Sequence, residues 1–296
     1  MASPDWLDRG AYPFTSRWLD LPSGRLHYID EGQGRPLVLV HGTPDWSFLW
    51  RHLVKALSPR YRCIAIDNLG FGLSDRPPGS WYLPENQAVN LRTVIERLGL
   101  RDVTLVLHDF GGPIGLSYAI ERTSNVRSLV LMNTWMWSLA GDRHFEFFAR
   151  IATSRLGRYL YLEWNASARF IMKLAFGDRA RLTPAIHAQY LAPFPDPASR
   201  AATWAYARAL IGSSAWYEQL WRRRERVHAL PALIVWGMKD RAFREKELQR
   251  LASIFAEPEV LRLPDVGHFP PEEAPDRLAM LASGFLDRDE RGGHSP

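Results

Sequence analysis

Cysteine is almost absent from this chain, since Cys63 is the only one among 296 residues. A single cysteine excludes an internal disulfide and favours a reducing compartment. No run of about 18 apolar residues occurs, so we expect no membrane-spanning helix. The first 14 residues contain acidic and basic side chains without an apolar core, which is unlike a secretory signal peptide. These absences predict a cytoplasmic protein without a membrane partner.

Positive charge is present but not concentrated. The formal net charge is +5, and Arg222–Arg224 is the only basic run. No aromatic stacking motif accompanies it, so a solvated helix face explains it better than a nucleic-acid site. With 46% hydrophobic and 23% charged residues, the composition is that of an ordinary globular protein. We therefore expect no nucleic-acid partner.

Short apolar runs alternate with segments of helical spacing in both halves of the chain. Most of these runs are apolar on both faces, which is typical of parallel strands covered by helices. The sequence therefore predicts an α/β fold with a mostly parallel sheet and helices on both faces. The predicted strands are 25–30, 37–40, 61–66, 103–108, 126–132, 232–236 and 260–263, and the predicted helices outside the middle segment include 50–57, 86–98, 246–255 and 275–286.

The middle of the chain has a different composition and pattern. Between residues 134 and 224 no strand of that apolar kind occurs, helical spacing recurs, and aromatic residues and arginines are abundant. We interpret this segment as an inserted helical cap over the strand ends. The chain then divides into a first core part, 1–133, the cap, 134–224, and a second core part, 225–296.

The segment from Val103 to Arg122 carries the most informative pattern. A buried strand is followed by a sharp turn at Asp109, and a helix begins at Gly111. Such an elbow presents its central residue to a cleft, and the N–H groups of the following helix point the same way. No G-x-S-x-G motif occurs, which argues against a serine esterase. We therefore interpret Asp109 as a nucleophile.

Two further residues complete a catalytic triad. Asp240 follows a late strand and His268 lies after the last strand, which is the order of α/β hydrolases. Asp109 would attack as an anion, His268 would then activate water, and Asp240 would orient the imidazole. The backbone N–H groups of Thr43 and Phe110 would form the oxyanion hole. Each residue alone has an ordinary explanation, such as a helix N-cap, but their joint order favours catalysis.

Several segments of the chain resemble the haloalkane dehalogenases, within the wider group of dehalogenases and epoxide hydrolases. They are HGTPDWSFLWR, DNLGFGLSDRP, HDFGGPIGL, VWGMKD and DVGHFPPEEAPD, and the resemblance reaches YLAPFPDP in the cap. It implies an α/β-hydrolase core, a helical cap and an alkyl-enzyme ester mechanism without metal or cofactor. By this resemblance Asp109 displaces halide from carbon, water activated by His268 hydrolyses the ester, and Asp240 is the acid.

Two positions depart from the family pattern. The family typically has a tryptophan directly after the nucleophile, and its indole N–H holds the departing halide, whereas Phe110 has no such donor. Many members also have asparagine or glutamate at the position of Thr43. We expect donors from the cap to replace these groups. The candidates for this leaving-group site are Trp164, Asn165, Trp135 and Trp137.

The main prediction is a hydrolase that cleaves the carbon–halogen bonds of small haloalkanes, with a small apolar electrophile and water as its only partners. Epoxide hydrolases are an alternative, because they share the triad and add two cap tyrosines. Leu107 argues against them, since they usually have glycine two residues before the nucleophile. A non-catalytic binding protein of the same fold also stays open. The available cap tyrosines are Tyr217 and one of Tyr159, Tyr161 and Tyr190.

Overall fold

The computed structural model describes residues 4–79 and 82–292. Within these ranges the strands are β1 Ser16–Leu21, β2 Gly24–Glu31, β3 Pro36–Val40, β4 Arg62–Ile66, β5 Val103–Asp109, β6 Val126–Thr134, β7 Ala232–Gly237 and β8 Glu259–Leu263. They form one sheet in the order β1-β2-β4-β3-β5-β6-β7-β8. The pairs β1–β2 and β2–β4 are antiparallel and the remaining pairs are parallel. This confirms the predicted α/β fold with a mostly parallel sheet.

The helices lie on both faces of this sheet. They are α1 Arg51–Leu57, α2 Pro84–Arg97, α3 Gly111–Glu121, α4 Arg143–Thr153, α5 Arg155–Leu162, α6 Met172–Ala175, α7 Pro184–Leu191, α8 Ala201–Gly212, α9 Ser214–Arg222, α10 Glu245–Ala252, α11 Pro270–Glu273 and α12 Pro275–Gly292. None of the described helices is long and apolar enough to cross a bilayer.

Alternate residues of the central strands face opposite helical layers, because side chains along a strand alternate between its two faces. In β3, Val38 and Val40 belong to the core that includes α2, α3 and α10. Leu37 and Leu39 belong to the core that includes α1 and α12. Burial on both faces explains why these strands read as continuous apolar runs instead of alternating patterns.

The segment between β6 and β7 contains the helices α4 to α9 and, within the described residues, no strand. The two flanking strands pair directly, with Leu129 opposite Ala232 and Met132 opposite Val235. The chain therefore leaves the sheet at β6 and re-enters it at the neighbouring strand. We keep the name cap for residues 134–224, and the division of the chain at its two ends stays a prediction.

Two elements differ from the sequence-based expectation. The edge strand β1 has no counterpart among the predicted strands, because only its last residue is buried. The last helix continues to Gly292 instead of ending at 286. Asp289 explains this extension, since its carboxylate accepts a hydrogen bond from Arg127 Nε at 2.9 Å and lies 3.6 Å from Arg35 Nη1.

Candidate active site

The turn after β5 places Asp109 at the centre of the candidate site. Its φ of +50° lies in the left-handed region, which non-glycine residues rarely adopt and which costs on the order of 1–3 kcal/mol. The hydroxyl of Thr134 holds this turn by donating to the main-chain oxygen of Asp109 at 2.5 Å. The side chain is 6% exposed. The elbow predicted from the sequence is therefore present, with an aspartate at its strained position.

Two glycines let other segments approach the elbow. A Cβ atom on Gly42 would lie 2.1 Å from Asp109 Oδ1, and one on Gly111 would lie 2.0 Å from the main-chain oxygen of Val40. Both distances are far below a van der Waals contact. Glycine is therefore required where the end of β3 and the start of α3 meet the nucleophile.

The two oxygens of the Asp109 carboxylate have different surroundings. Oδ1 accepts a hydrogen bond from Thr43 N at 3.0 Å. The Phe110 N–H faces the carboxylate and helps to lower its pKa. Oδ2 lies 3.5 Å from His268 Nε2. The two N–H groups predicted for an oxyanion hole thus contact the nucleophile itself, and they leave Oδ2 as the oxygen that faces the base.

The loops after β7 and β8 bring the acid and the base together. His268 Nδ1 lies 2.7 Å from Asp240 Oδ2. The same oxygen accepts from Asn133 Nδ2 at 2.8 Å, and Asp240 Oδ1 accepts from Ala242 N at 2.7 Å. Asn133 also bonds both main-chain groups of Gly237, at 2.9 and 3.1 Å. The acid is therefore fixed at both oxygens, and Asn133 ties it to β6.

Neighbouring groups shift the pKa values of both Asp109 and His268. Burial alone would raise the pKa of Asp109, but the hydrogen bond and charge of His268, the charge of His108 and the Phe110 N–H hold it below its ordinary value. Burial alone would lower the pKa of His268, but the carboxylates of Asp240 and Asp109 raise it well above its ordinary range. Esterification of Asp109 would remove one of these two carboxylates. The arrangement can therefore convert His268 into a base once an ester has formed.

Three buried donors without a protein partner belong to an aromatic cluster that includes Phe110, the residue after the nucleophile. The ring centroids of Tyr206 and Trp135 lie 4.4 and 4.8 Å from that of Phe110, and Tyr217 lies 5.7 Å from Trp135. In the described chain, neither phenol oxygen nor the indole Nε1 has a hydrogen-bond partner. An unsatisfied buried donor costs about 1–3 kcal/mol, so three together call for an explanation.

The two phenols are within electrostatic reach of the nucleophile. Burial raises the pKa of both Tyr206 and Tyr217, and the negative charge of Asp109 adds to this effect. Sequence reasoning named Tyr217 as available and missed Tyr206. A weak signal exists on α8, where the buried positions around Tyr206 are the small residues Ala202, Ala205 and Ala209, which leave room for a large side chain.

The other three candidates for the leaving-group site, Trp164, Trp137 and Asn165, do not join Trp135 in its contacts with the elbow. Trp164 is 50% exposed on the cap surface. Trp137 packs edge-on against Trp221 at 5.7 Å and beneath the guanidinium of Arg250 at 4.7 Å. Asn165 is buried at a φ of +53°, and its Oδ1 lacks a partner among the described residues. Of the four predicted residues, Trp135 is the one whose ring contacts reach the elbow.

Two glutamates of α11 hold the loop that carries the base. Glu273 Oε1 accepts from Gly267 N at 2.9 Å. Glu272 pairs with Arg51, with 2.8 Å between Oε2 and Nη2, and it also accepts from the Tyr190 hydroxyl. These contacts connect α1, the cap and the loop of His268. They were not foreseen, since nothing in the local sequence shows which distant side chains reach α11.

Comparison with known proteins places this geometry in a family. Residues 35–275 match the family described as alpha/beta hydrolase fold. Haloalkane dehalogenase 2 from Mycobacterium tuberculosis is 39% identical over 275 residues, which are 92% of this chain and 95% of that relative. This chain belongs to the haloalkane dehalogenase family. It is an α/β-hydrolase enzyme, as the resemblance of its motifs predicts.

A second relative carries a different activity in its name, and solved structures have the same fold. The cis-3-alkyl-4-alkyloxetan-2-one decarboxylase of Xanthomonas campestris is 32% identical over 306 residues, covering 94% of this chain and 98% of the relative. The solved haloalkane dehalogenase DatA from Agrobacterium tumefaciens has a TM-score of 0.83 at 26% identity, covering 95% and 99% of the two chains. Across the described parts of this dehalogenase-family chain, no cluster of three or more His, Cys, Asp or Glu side chains is arranged to hold a metal ion.

Proposed function

We propose that this protein hydrolyses small haloalkanes to alcohol and halide through a covalent ester on Asp109. One observation carries the proposal: Thr43 N–H holds Oδ1 of Asp109, while Oδ2 lies 3.5 Å from a histidine whose other nitrogen lies 2.7 Å from Asp240. The named function of the 39% identical relative supports it. A cytoplasmic location, without a nucleic-acid or membrane partner, is part of the proposal.

In the first step Asp109 Oδ2 attacks the carbon that bears the halogen. The new bond to oxygen forms as the carbon–halogen bond breaks, and the halide leaves with the bonding electrons. One negative charge thus moves from the carboxylate to the halide, and a buried anion without donors is costly. Trp135 Nε1 and the hydroxyls of Tyr206 and Tyr217 are the unpaired donors that we assign to this anion. These donors come from the cap and would replace the hydrogen-bond donor that Phe110 lacks.

In the second step water attacks the ester carbon, and His268 takes its proton. The tetrahedral oxyanion forms at Oδ1, where the Thr43 N–H already donates, and the Phe110 N–H favours negative charge on the same group. Asp240 stabilises the imidazolium across 2.7 Å. The intermediate then collapses by breaking the bond between Cγ and Oδ2, and the alcohol receives the proton from His268. The carboxyl group left on Asp109 releases the second proton of the water to solvent, which restores the carboxylate and balances the halide released in the first step.

Replacing His268 with glutamine tests this sequence of steps. Because attack by Asp109 needs no base, we expect the variant to accumulate an ester that adds the mass of the alkyl group to the peptide containing Asp109. The exposed His228 offers a matched control, since His228→Gln changes the same residue type away from the site. Turnover by the wild-type protein with no adduct in the His268 variant would exclude the covalent mechanism.

Epoxide hydrolysis is the second candidate, and the two buried phenols favour it. Opening a strained carbon–oxygen ring produces an alkoxide that must receive a proton, whereas a halide needs only hydrogen-bond donors. Tyr206 and Tyr217 both carry a buried hydroxyl without a partner; the Tyr206 ring contacts Phe110, and the Tyr217 ring contacts Trp135. One relative acts by name on an alkyl oxetanone, which is also a strained carbon–oxygen ring.

A substrate panel separates the candidates. We would follow halide release from bromoalkanes, diol formation from aryl epoxides and loss of an alkyl oxetanone, in the wild-type protein and in Tyr206→Phe and Tyr217→Phe. Dehalogenation predicts bromide release that falls about 10- to 150-fold in each tyrosine variant, as expected for one lost hydrogen bond of about 1.5–3 kcal/mol to an anion. Turnover confined to epoxides or oxetanones, and abolished in the tyrosine variants, would replace the first candidate. No turnover of any substrate would favour a binding protein of the same fold.

A further inference from the structure

A second aspartate–histidine pair is buried behind the triad, and the mechanism above does not use it. His108, the residue before the nucleophile, has its Nδ1 3.2 Å from Asp45 Oδ2, and both side chains are fully buried. The other ring nitrogen, Nε2, lies 2.7 Å from the main-chain oxygen of His268. The two histidine rings are 4.8 Å apart. The pair therefore contacts the backbone of the catalytic base itself.

The contacts of His108 fix where its protons lie. A carbonyl oxygen only accepts, so Nε2 must carry a proton and donate to His268. Nδ1 faces a carboxylate at 3.2 Å, and two bare lone pairs at that distance would repel each other. One further proton must therefore lie between Nδ1 and Asp45. In the described part of the chain, neither Nδ1 nor either oxygen of Asp45 has a hydrogen-bond partner, so the 3.2 Å contact between them is the only polar contact that either side has there. The pair is thus neutral overall, as a buried pair should be.

We propose that Asp45 and His108 are positioning residues for the hydrolysis of the ester. Asp45 holds His108 in the form with a proton on Nε2, and this proton fixes the carbonyl of His268. The ring of His268 then keeps one nitrogen toward Asp240 and the other toward Asp109. Displacement of a catalytic group by about 1 Å can cost about 100-fold in rate. The inference rests on the proposed ester mechanism.

The two chemical steps should respond differently to loss of the pair. Asp109 attacks as an anion without help from His268, so alkylation does not depend on the position of the base. Hydrolysis depends on it, because His268 must direct water at the ester. A residue that merely stabilises the fold would not separate the two rates. The split between alkylation and hydrolysis is therefore the informative readout.

The experiment compares apolar and hydrogen-bonding replacements in the full-length protein. His108→Phe removes the donor to His268, whereas His108→Gln retains an amide N–H. Asp45→Leu removes the partner of Nδ1, whereas Asp45→Asn can donate to Nδ1 and keep the proton on Nε2. The exposed His52 provides a control as His52→Phe. Rapid-quench mass spectrometry with a bromoalkane measures formation and decay of the ester in each variant.

We expect hydrolysis about 100-fold slower in His108→Phe and Asp45→Leu, with alkylation within about threefold of wild type. The glutamine and asparagine variants should recover hydrolysis to within about tenfold of wild type. Equal loss of both steps, or conservative variants as slow as the apolar ones, would overturn the inference. If an apolar variant fails to fold, the comparison of Asp45→Asn with the wild-type protein still tests the inference. Hydrolysis of the ester more than about tenfold slower in Asp45→Asn than in wild type would contradict it. A wild-type protein that forms no ester would instead refute the proposed function.

Discussion

Replacing Asp240 with asparagine exchanges one carboxylate oxygen for an amide NH2 beside the catalytic base. In the wild-type protein three donors converge on the two oxygens: His268 Nδ1 at 2.7 Å, Asn133 Nδ2 at 2.8 Å and Ala242 N at 2.7 Å. An amide has only one oxygen, so in either orientation its NH2 group faces at least one donor. Where it faces His268, the imidazole must accept on Nδ1 and carry its proton on Nε2.

A proton on Nε2 prevents His268 from taking one from water. The same exchange in a Ser-His-Asp triad lowers turnover about 10,000-fold with the geometry retained. This loss corresponds to about 5.4 kcal/mol, at about 1.36 kcal/mol for each factor of ten. We expect a loss of that order in hydrolysis of the ester by Asp240→Asn. Alkylation should change less than about threefold, since Asp109 attacks without a base.

Single-turnover rapid quench with a bromoalkane separates the two rates, and intact-protein mass spectrometry follows the ester on Asp109. Asp265→Asn is a suitable control, because Asp265 is exposed on the loop that precedes His268. The reasoning fails if Asp240→Asn hydrolyses the ester within about tenfold of the wild-type rate. It also fails if alkylation and hydrolysis decline together, since the carboxylate would then act on the whole site instead of on the base.

Asp109→Asn removes a carboxylate 3.5 Å from His268 Nε2, so we expect the pKa of His268 to fall in a ¹⁵N NMR titration; an unchanged pKa would contradict this coupling. Because the pKa of Asp109 is lowered in the folded protein, its carboxylate contributes stability that is fully present above the ordinary pKa of about 3.9 and is lost as pH falls through the folded-state pKa. The free energy of unfolding in urea should therefore depend less on pH below about pH 4 in Asp109→Asn than in the wild-type protein. In Gly42→Ala the new Cβ would lie 2.1 Å from Asp109 Oδ1, and we expect alkylation to fall at least about 100-fold; a burst of bromide release like that of wild type would disprove it. Arg51→Met leaves Glu272 buried without its cation, and urea unfolding should show a loss of about 3–5 kcal/mol; a loss below about 1 kcal/mol would refute the structural role.

The sheet was predictable because burial on both faces leaves a strong mark in the sequence. Val38 and Leu39 face opposite helical layers, and each is fully buried, so β3 reads as an unbroken apolar run. The edge strand β1 carries no such mark. Arg17 and Asp20 are exposed there, and its pairing is determined by β2, which local sequence cannot show.

The candidate site likewise has a part that local sequence predicts and a part that it does not. Asp109, Asp240 and His268 were each predicted at the carboxyl end of a strand. Because the carboxyl ends of parallel strands lie at one edge of the sheet, these positions predicted that the three side chains come together. Tyr206 comes from α8, and nothing local distinguishes it from the other aromatic residues of the cap. Its position beside Phe110 at 4.4 Å depends on how the cap helices pack on the sheet. The contact of Asp45 with His108 likewise joins the loop after β3 to the end of β5.

The direct pairing of β6 with β7, despite residues 135–231 between them, has an evolutionary consequence. The inserted segment begins and ends at adjacent strands, so its size and shape can vary without altering the strand register beneath it. A new substrate preference can then arise when a different set of helices is inserted above an unchanged sheet and its reactive residues. Chimaeras that exchange this segment between relatives are a natural way to explore that freedom.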